Sequence, residues 1–150
     1  MEDSFYMKEA LKEAHKAYLK EEIPIGAIIV KNNEIIARAH NLRETMKDPT
    51  AHAEVLAIRE AAKVLGGWRL IGCKLYVTME PCIMCLGAIN ESRIKTLVIG
   101  TKNTKTVDSE YKLKLKKDFL QDKNIDISFG ILEEATSSIV KNFFRKLRKR

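Results

Sequence analysis

The chain has 150 residues, is 45% apolar and 31% charged, and carries a net charge of +7. That length and composition fit one folded domain over residues 1–150, long enough to bury a substantial core. The longest apolar run is too short to cross a bilayer and no signal peptide precedes Met1-Glu2-Asp3, which argues against a membrane protein and for the cytoplasm. The charge is unevenly placed. Residues 1–100 hold 14 Lys+Arg against 13 Asp+Glu, and residues 101–150 hold 13 against 7. A localised basic patch suits phosphates; from charge alone, a lysine-rich solvated face reads equally well.

In chain order, Ser4 can cap a first helix running to about Lys20, with Met7, Leu11, Ala14 and Tyr18 on one apolar stripe and His15 off it. After Pro24, residues 25–30 read as a buried strand. Asn32-Asn33 is a turn signal, and Glu34 to Ala39 reads as the returning strand of a hairpin. Gly26 and Ala27 are small where a strand prefers bulk, which fits either a pocket floor or close packing of a helix. Asn41 ends the second strand; its amide can read a purine edge, and it can equally be a turn residue. Residues 42–50 read as a polar loop.

Pro49 and Thr50 announce a helix from about Ala51 to Leu65, ended by Gly66-Gly67. Glu54 shares a helix face with Ile58, Ala61 and Leu65 and therefore points inward, where a carboxylate needs a partner or a raised pKa. Trp68 and Leu70 read as core or interface, and Cys73 as a small buried hydrophobe before a strand from Lys74 to Met79. Pro81 suits the first turn of a helix running to about Glu91, with Cys82 and Cys85 on one face at its start. Residues 96–100 read as a buried strand and 101–110 as a polar loop. A lysine-rich helix over 111–121 and a short strand over 126–130 follow. A last helix runs from about Leu132, with Leu132, Ala135, Ile139 and Phe143 as its stripe and six basic residues over 141–150.

Two stretches carry chemistry: His52-Ala53-Glu54, and Glu80-Pro81-Cys82-Ile83-Met84-Cys85. One imidazole and two thiols make three ligands for zinc and leave a fourth position for water, the pattern of a catalytic site. Zinc lowers the pKa of such a water to about 7. The amino end of a helix favours thiolates at Cys82 and Cys85. A closed structural zinc site would want a fourth Cys or His, and neither His15 nor His40 has suitable spacing. A thioredoxin-like pair would want other surroundings and no H-x-E. H-x-E with P-C-x-x-C is the signature of zinc nucleobase deaminases, in which the Glu moves protons.

Ile23-Pro24-Ile25-Gly26-Ala27, His40-Asn41, Asp48-Pro49-Thr50-Ala51-His52-Ala53-Glu54, Leu75-Tyr76-Val77-Thr78, Glu80-Pro81-Cys82 and Met84-Cys85-Leu86-Gly87-Ala88 follow in one order, and residues 142–148 (NFFRKLR) add a terminal match. That order resembles the bacterial tRNA-specific adenosine deaminase family. The resemblance implies an α/β fold of three α/β/α layers, cytidine-deaminase-like, with a five-stranded mixed sheet. It implies one zinc per subunit on His52, Cys82 and Cys85, Glu54 as the catalytic acid and base, and base contacts at Asn41, Ala53 and Ile28. It further implies a homodimer acting on the wobble adenosine of a tRNA anticodon stem–loop, expected to be an arginine tRNA. RNA contacts are expected at Asn103, Lys105, Phe144, Arg145 and Arg148; Phe143, on the apolar stripe, reads as core. The family pattern G-x-x-D-x-K-T-G-A-x-G-S differs here: Gly100-Thr101-Lys102-Asn103-Thr104-Lys105-Thr106-Val107-Asp108-Ser109 puts Asn103 where the family has aspartate, and Asn124-Ile125 stands near the family's later Asn-His pair. A small-molecule deaminase of guanine, cytosine or a nucleoside would share the zinc set and Glu54, but has no phosphates for the basic helix to meet. A non-enzymatic RNA-binding subunit could dispense with Glu54.

Overall fold

The computed structural model of the protein describes residues 2–103, 110–121 and 124–149. In chain order the elements are α1 (Glu2–Leu19), β1 (Gly26–Lys31), β2 (Glu34–His40), α2 (Arg43–Met46), α3 (Ala53–Leu65), β3 (Cys73–Met79), α4 (Ile83–Glu91), β4 (Thr96–Thr101), α5 (Glu110–Leu120), β5 (Asp126–Phe129) and α6 (Glu133–Arg148). The five strands form one sheet in the order β2-β1-β3-β4-β5. β1 is antiparallel to both β2 and β3, whereas β3, β4 and β5 run parallel, so the sheet is mixed as expected. Asn32 and Asn33 both take positive φ (51° and 64°) in the two-residue turn between β1 and β2, the conformation that a twisted hairpin demands and asparagine tolerates. No helix among the described residues is long and apolar enough to cross a membrane.

Strand alternation sorts the core into two layers. Ala27 and Ile29 of β1, Leu75 and Val77 of β3, and Leu97 and Ile99 of β4 face one side, where they meet Ala53, Ala57 and Ala61 of α3 and Leu86 and Ile89 of α4. Ile28 and Val30, Tyr76 and Val98 face the other side, against Tyr6, Met7 and Ala10 of α1. Tyr76 is enclosed there, and its hydroxyl donates to Asp3 Oδ1 at 2.6 Å. α6 lies on the same side as α1, packed along β4 and β3. The result is the α/β/α arrangement anticipated from the sequence.

Gly26 resolves the choice between a pocket floor and helix packing. A Cβ there would overlap the carbonyl oxygen of Ala10 and lie 2.5 Å from the amide nitrogen of Ala14. The glycine exists so that α1 can rest on the strand. Gly100 has the same role toward α6: its added Cβ would come within 2.6 Å of the Thr136 side chain.

Several boundaries differ from the sequence reading. Ser4 lies inside α1, which already begins at Glu2, so it caps nothing. Residues 42–50 are not loop throughout, because α2 interrupts them. The buried stripe of α6 is Thr136, Ile139, Val140 and Phe143, while Ala135 is exposed. Thr136 can occupy the core because its hydroxyl donates back to the Leu132 carbonyl at 3.0 Å. Trp68 is half exposed, with the Arg69 guanidinium 4.3 Å from its ring centroid; Leu70 and Cys73 are buried as anticipated.

Candidate active site

β3 and β4 end, β2 ends and β1 begins at the same edge of the sheet, a consequence of their relative directions. Ligands in such sheets sit outside the carboxyl ends of the parallel strands. A cavity of about 400 Å³ opens at that edge, lined by Ile23 and Ile25 before β1, Asn41 after β2, Met79 and Glu80 after β3, and Thr101 and Asn103 after β4. α3 and α4 both start beside it. His52 is the N-cap residue of α3 and Cys82 that of α4. Pro81 therefore lies just before the cap and not in the first turn.

The two helix starts bring the motif residues together. His52 Nδ1 lies 3.6 Å from Cys82 Sγ and 3.5 Å from Cys85 Sγ. One ligating atom from each of the three residues falls within 4.8 Å of the others, a group able to hold a metal ion. Glu54, on the first turn of α3, lines the same cavity and is almost entirely buried. Burial pushes its carboxyl up to about 7, so it exchanges protons readily near neutrality. The Cys85 thiol and the His52 imidazole, both close to Cys82, hold the Cys82 thiol well below the usual range in spite of its burial. The same contact, together with burial, raises Cys85. His52 is raised by its contact with Cys82. A thiolate is thus already favoured at the site, as a metal ligand requires.

Asn41 is buried, and its Oδ1 accepts the backbone N–H of Ala53 at 2.9 Å. That bond satisfies one of the free donors at the start of α3, which the His52 side chain leaves uncapped. It also commits the Asn41 oxygen inward, so the two Nδ2 protons are what the side chain brings to a ligand. Ala53 takes part through this N–H, and its methyl group is in the core.

Ile28 is corrected. It points from β1 toward α1, is fully enclosed with Tyr6, Met7 and Ala10, and does not line the cavity. The residue on the cavity side is Ile25, just ahead of the strand. Asn103 does line the cavity, and its N–H donates to Glu80 Oε1 at 3.1 Å. Phe144 forms part of the wall from α6, and its ring lies 5.4 Å from that of the buried Phe143. Arg145 and Arg148 are exposed on α6 and do not reach the cavity lining. Lys105 lies outside the described residues.

Four cations at the rim escaped the sequence reading: Arg43 on α2, Lys102 after β4, Lys112 on α5 and Lys141 on α6. Arg43 stands two residues after Asn41, and Lys102 next to Asn103, so proximity in sequence to the candidate site residues was the available signal. Lys112 and Lys141 come to the site only through folding.

A profile of the MafB19-like deaminases matches residues 1–148. The tRNA-specific adenosine deaminase of Bacillus subtilis (strain 168) is 50% identical over 149 residues, covering 99% of this chain and 92% of that protein. A solved structure from work on A-to-I editing by tRNA:A34 deaminases at the wobble position superposes with a TM-score of 0.79 at 38% identity, covering 90% of this chain and 98% of the other. The guanine deaminase of Bacillus subtilis superposes with a TM-score of 0.66 at 35% identity, covering 97% and 93%. With a near full-length match of sequence and fold, this chain belongs to the tRNA-specific adenosine deaminase family, with a cytidine-deaminase-like fold.

Proposed function

We propose that the protein converts adenosine to inosine, by hydrolysis, at the wobble position of a tRNA anticodon. The observation that carries this is the convergence of Glu54 and Asn41 with His52, Cys82 and Cys85 in one cavity whose rim is cationic. The donor set suits zinc, held by His52 Nδ1 and the two sulfurs. Tetrahedral bonds of about 2.3 Å to sulfur and about 2.0 Å to nitrogen put those donors about 3.5 Å apart, and the observed separations are 3.5 and 3.6 Å. When bound, zinc supplies a Lewis acid that makes a water ligand acidic enough to ionise near neutral pH.

The remaining work belongs to the chain. Glu54 accepts a proton from the attacking water and passes it to the purine ring nitrogen as oxygen adds to C6. It carries the second water proton to the amino group, which leaves as ammonia, so water and adenosine become inosine and ammonia. Asn41 donates from Nδ2 to an acceptor on the purine, such as N7. Ile23, Ile25, Met79 and Val140 give the base an apolar wall. The base must leave its stack to enter, which an anticodon loop permits.

The same reading takes residues 1–150 as one catalytic domain with one zinc per subunit, acting as a homodimer in the cytoplasm on an arginine tRNA stem–loop. Asn103, Lys105, Phe144, Arg145 and Arg148 are its RNA contacts. Family membership supports a tRNA substrate, and the cavity-lining positions of Asn103 and Phe144 and the exposed positions of Arg145 and Arg148 are compatible with RNA contact.

A second reading, deamination of a free base, is favoured by the likeness to guanine deaminase and by a cavity of a size that a nucleobase fits. The test is turnover of an arginine anticodon stem–loop beside free adenosine, guanine, cytosine and cytidine, with Glu54→Ala as blank. Inosine in the RNA alone supports the editor. Ammonia from one small molecule and none from RNA would replace it with the second reading.

A further inference from the structure

Glu22 is a carboxylate with almost no solvent contact, 2% exposed, in the turn between α1 and β1. Neither motif contains it and the chemistry above does not use it. Both its oxygens are spent on α2. Oε1 accepts the Glu44 N–H at 3.1 Å, and Oε2 accepts the Thr45 N–H and the Thr45 hydroxyl, each at 2.7 Å. These are amide donors that a helix start leaves open, and Leu42, the N-cap residue, offers no side-chain cap. Burial alone would raise the Glu22 carboxyl. The Thr45 and Glu44 bonds and the charge of Arg43 outweigh it and hold the pKa below the usual range. The group is therefore an anion at neutral pH and makes charge-assisted bonds.

A helix of four residues, Arg43–Met46, has no stability of its own. Besides Glu22, a backbone bond from Leu42 N–H to Ala51 O at 3.0 Å ties its start to the segment before α3. Yet α2 carries Arg43, an exposed side chain that lines the cavity next to Asn41 and His52. Arg43 enters from the β2 side of the sheet. Lys102 enters after β4, three strand positions away, or about 14 Å at the usual spacing. The base pocket thus lies between cations on two sides, an arrangement that a free base cannot use and a polynucleotide backbone can.

We infer that Arg43 contacts a backbone phosphate beside the target nucleotide, and that Glu22 is the positioning residue that holds Arg43 there. The inference rests on the proposed action on RNA. Arg43 bears on binding rather than on the chemical step, and Glu22 acts only through it.

The experiment is steady-state deamination of the stem–loop by zinc-loaded protein over a range of KCl, comparing the parent with Arg43→Gln, Glu22→Ala, Glu22→Gln and the double variant Glu22→Ala/Arg43→Gln. Arg43→Gln is expected to raise KM about ten-fold, as for one charged hydrogen bond. It should also flatten the slope of log(1/KM) against log[KCl] by about 0.7, one phosphate contact on a single strand. Glu22→Ala should raise KM by a similar factor with kcat changed far less, and Glu22→Gln should fall between it and the parent. The double variant should match Arg43→Gln, since two residues acting through one contact are not additive. Should Glu22→Ala fail to fold, Glu22→Gln and Arg43→Gln carry the comparison. An unchanged KM and salt slope in Arg43→Gln overturns the inference, as does a Glu22 variant whose loss lies in kcat or adds in full to that of Arg43→Gln. No inosine from the parent protein overturns the RNA reading itself, and this inference with it.

Discussion

The Asn41 side-chain oxygen and the Ala53 amide nitrogen are 2.9 Å apart, which ties the end of β2 to the start of α3. One short bond thus couples Asn41, in the cavity lining, to the helix that starts at His52 and carries Glu54. Asn41→Asp keeps an acceptor for Ala53 and loses both Nδ2 protons. It should preserve the fold and lower kcat/KM roughly ten- to hundred-fold. Asn41→Ala should do that and also lower thermal stability. Parallel melting curves and kinetics separate the two effects.

Metal removal should be read first as a loss of stability. If a metal binds only the folded site, a concentration about a thousand times Kd adds about 4 kcal/mol, or about 10 °C in Tm for a chain of this size. A chelator should remove that increment, and zinc should restore it. Cys85→Ala should melt at one temperature with or without chelator. A chelator-dependent shift surviving in that variant would count against Cys85 as a ligand.

Glu13 makes the acid limb of stability testable. It is a buried carboxylate on α1. The His40 Nδ1–H donates to it at 3.0 Å and the Lys16 ammonium at 2.7 Å. Arg38 lies 3.6 Å away. The Lys20 ammonium lies 3.0 Å from the other ring nitrogen of His40. Burial would raise the Glu13 carboxyl, but the Lys16 and His40 bonds lower it overall. The sign follows from linkage: the unfolded chain takes up a proton near pH 4.3 while folded Glu13 still resists it. This contribution is complete above that pH and is lost as pH falls through the depressed folded value. Glu13→Gln should flatten the decline of the urea midpoint on acidification. An unchanged acid limb would show that Glu13 is not its source.

Gly26→Ala should be among the most damaging single substitutions, because the new methyl group meets backbone of α1 and not a side chain that could turn away. Overpacking typically costs about 1–3 kcal/mol, and a clash with backbone belongs at the upper end of that range. A urea titration of the variant measures it, and a loss below about 1 kcal/mol would mean that α1 shifts freely on the sheet.

The chemistry was legible because its residues are close in sequence. His52 and Glu54 are two apart and Cys82 and Cys85 three apart, each pair at one helix start, so local geometry alone aims them. The strands were legible for a similar reason, since their apolar runs are short and the Asn32-Asn33 turn is strongly marked. Glu13 and Glu22 were not legible. Glu13 reads as a solvated helix residue until α1 lies against β2, and the partners of Glu22 are 22 and 23 residues away. Ile28 was misplaced because both faces of β1 are covered by helices, so its residues fill the core on either side and only Ile25, ahead of the strand, reaches the cavity. Thr136 was overlooked in favour of Ala135 because its hydroxyl looks polar until it bonds within its own helix.

The seat that Gly100 gives to Thr136 has a practical consequence for anyone who trims or fuses this protein. It presses α6 onto β4, and the same helix then presents Val140, Lys141 and Phe144 to the cavity. The basic carboxyl-terminal helix is masonry rather than a tail. A deletion that begins before Phe144 would breach the cavity wall, while a tag joined after Arg148 would leave that wall standing.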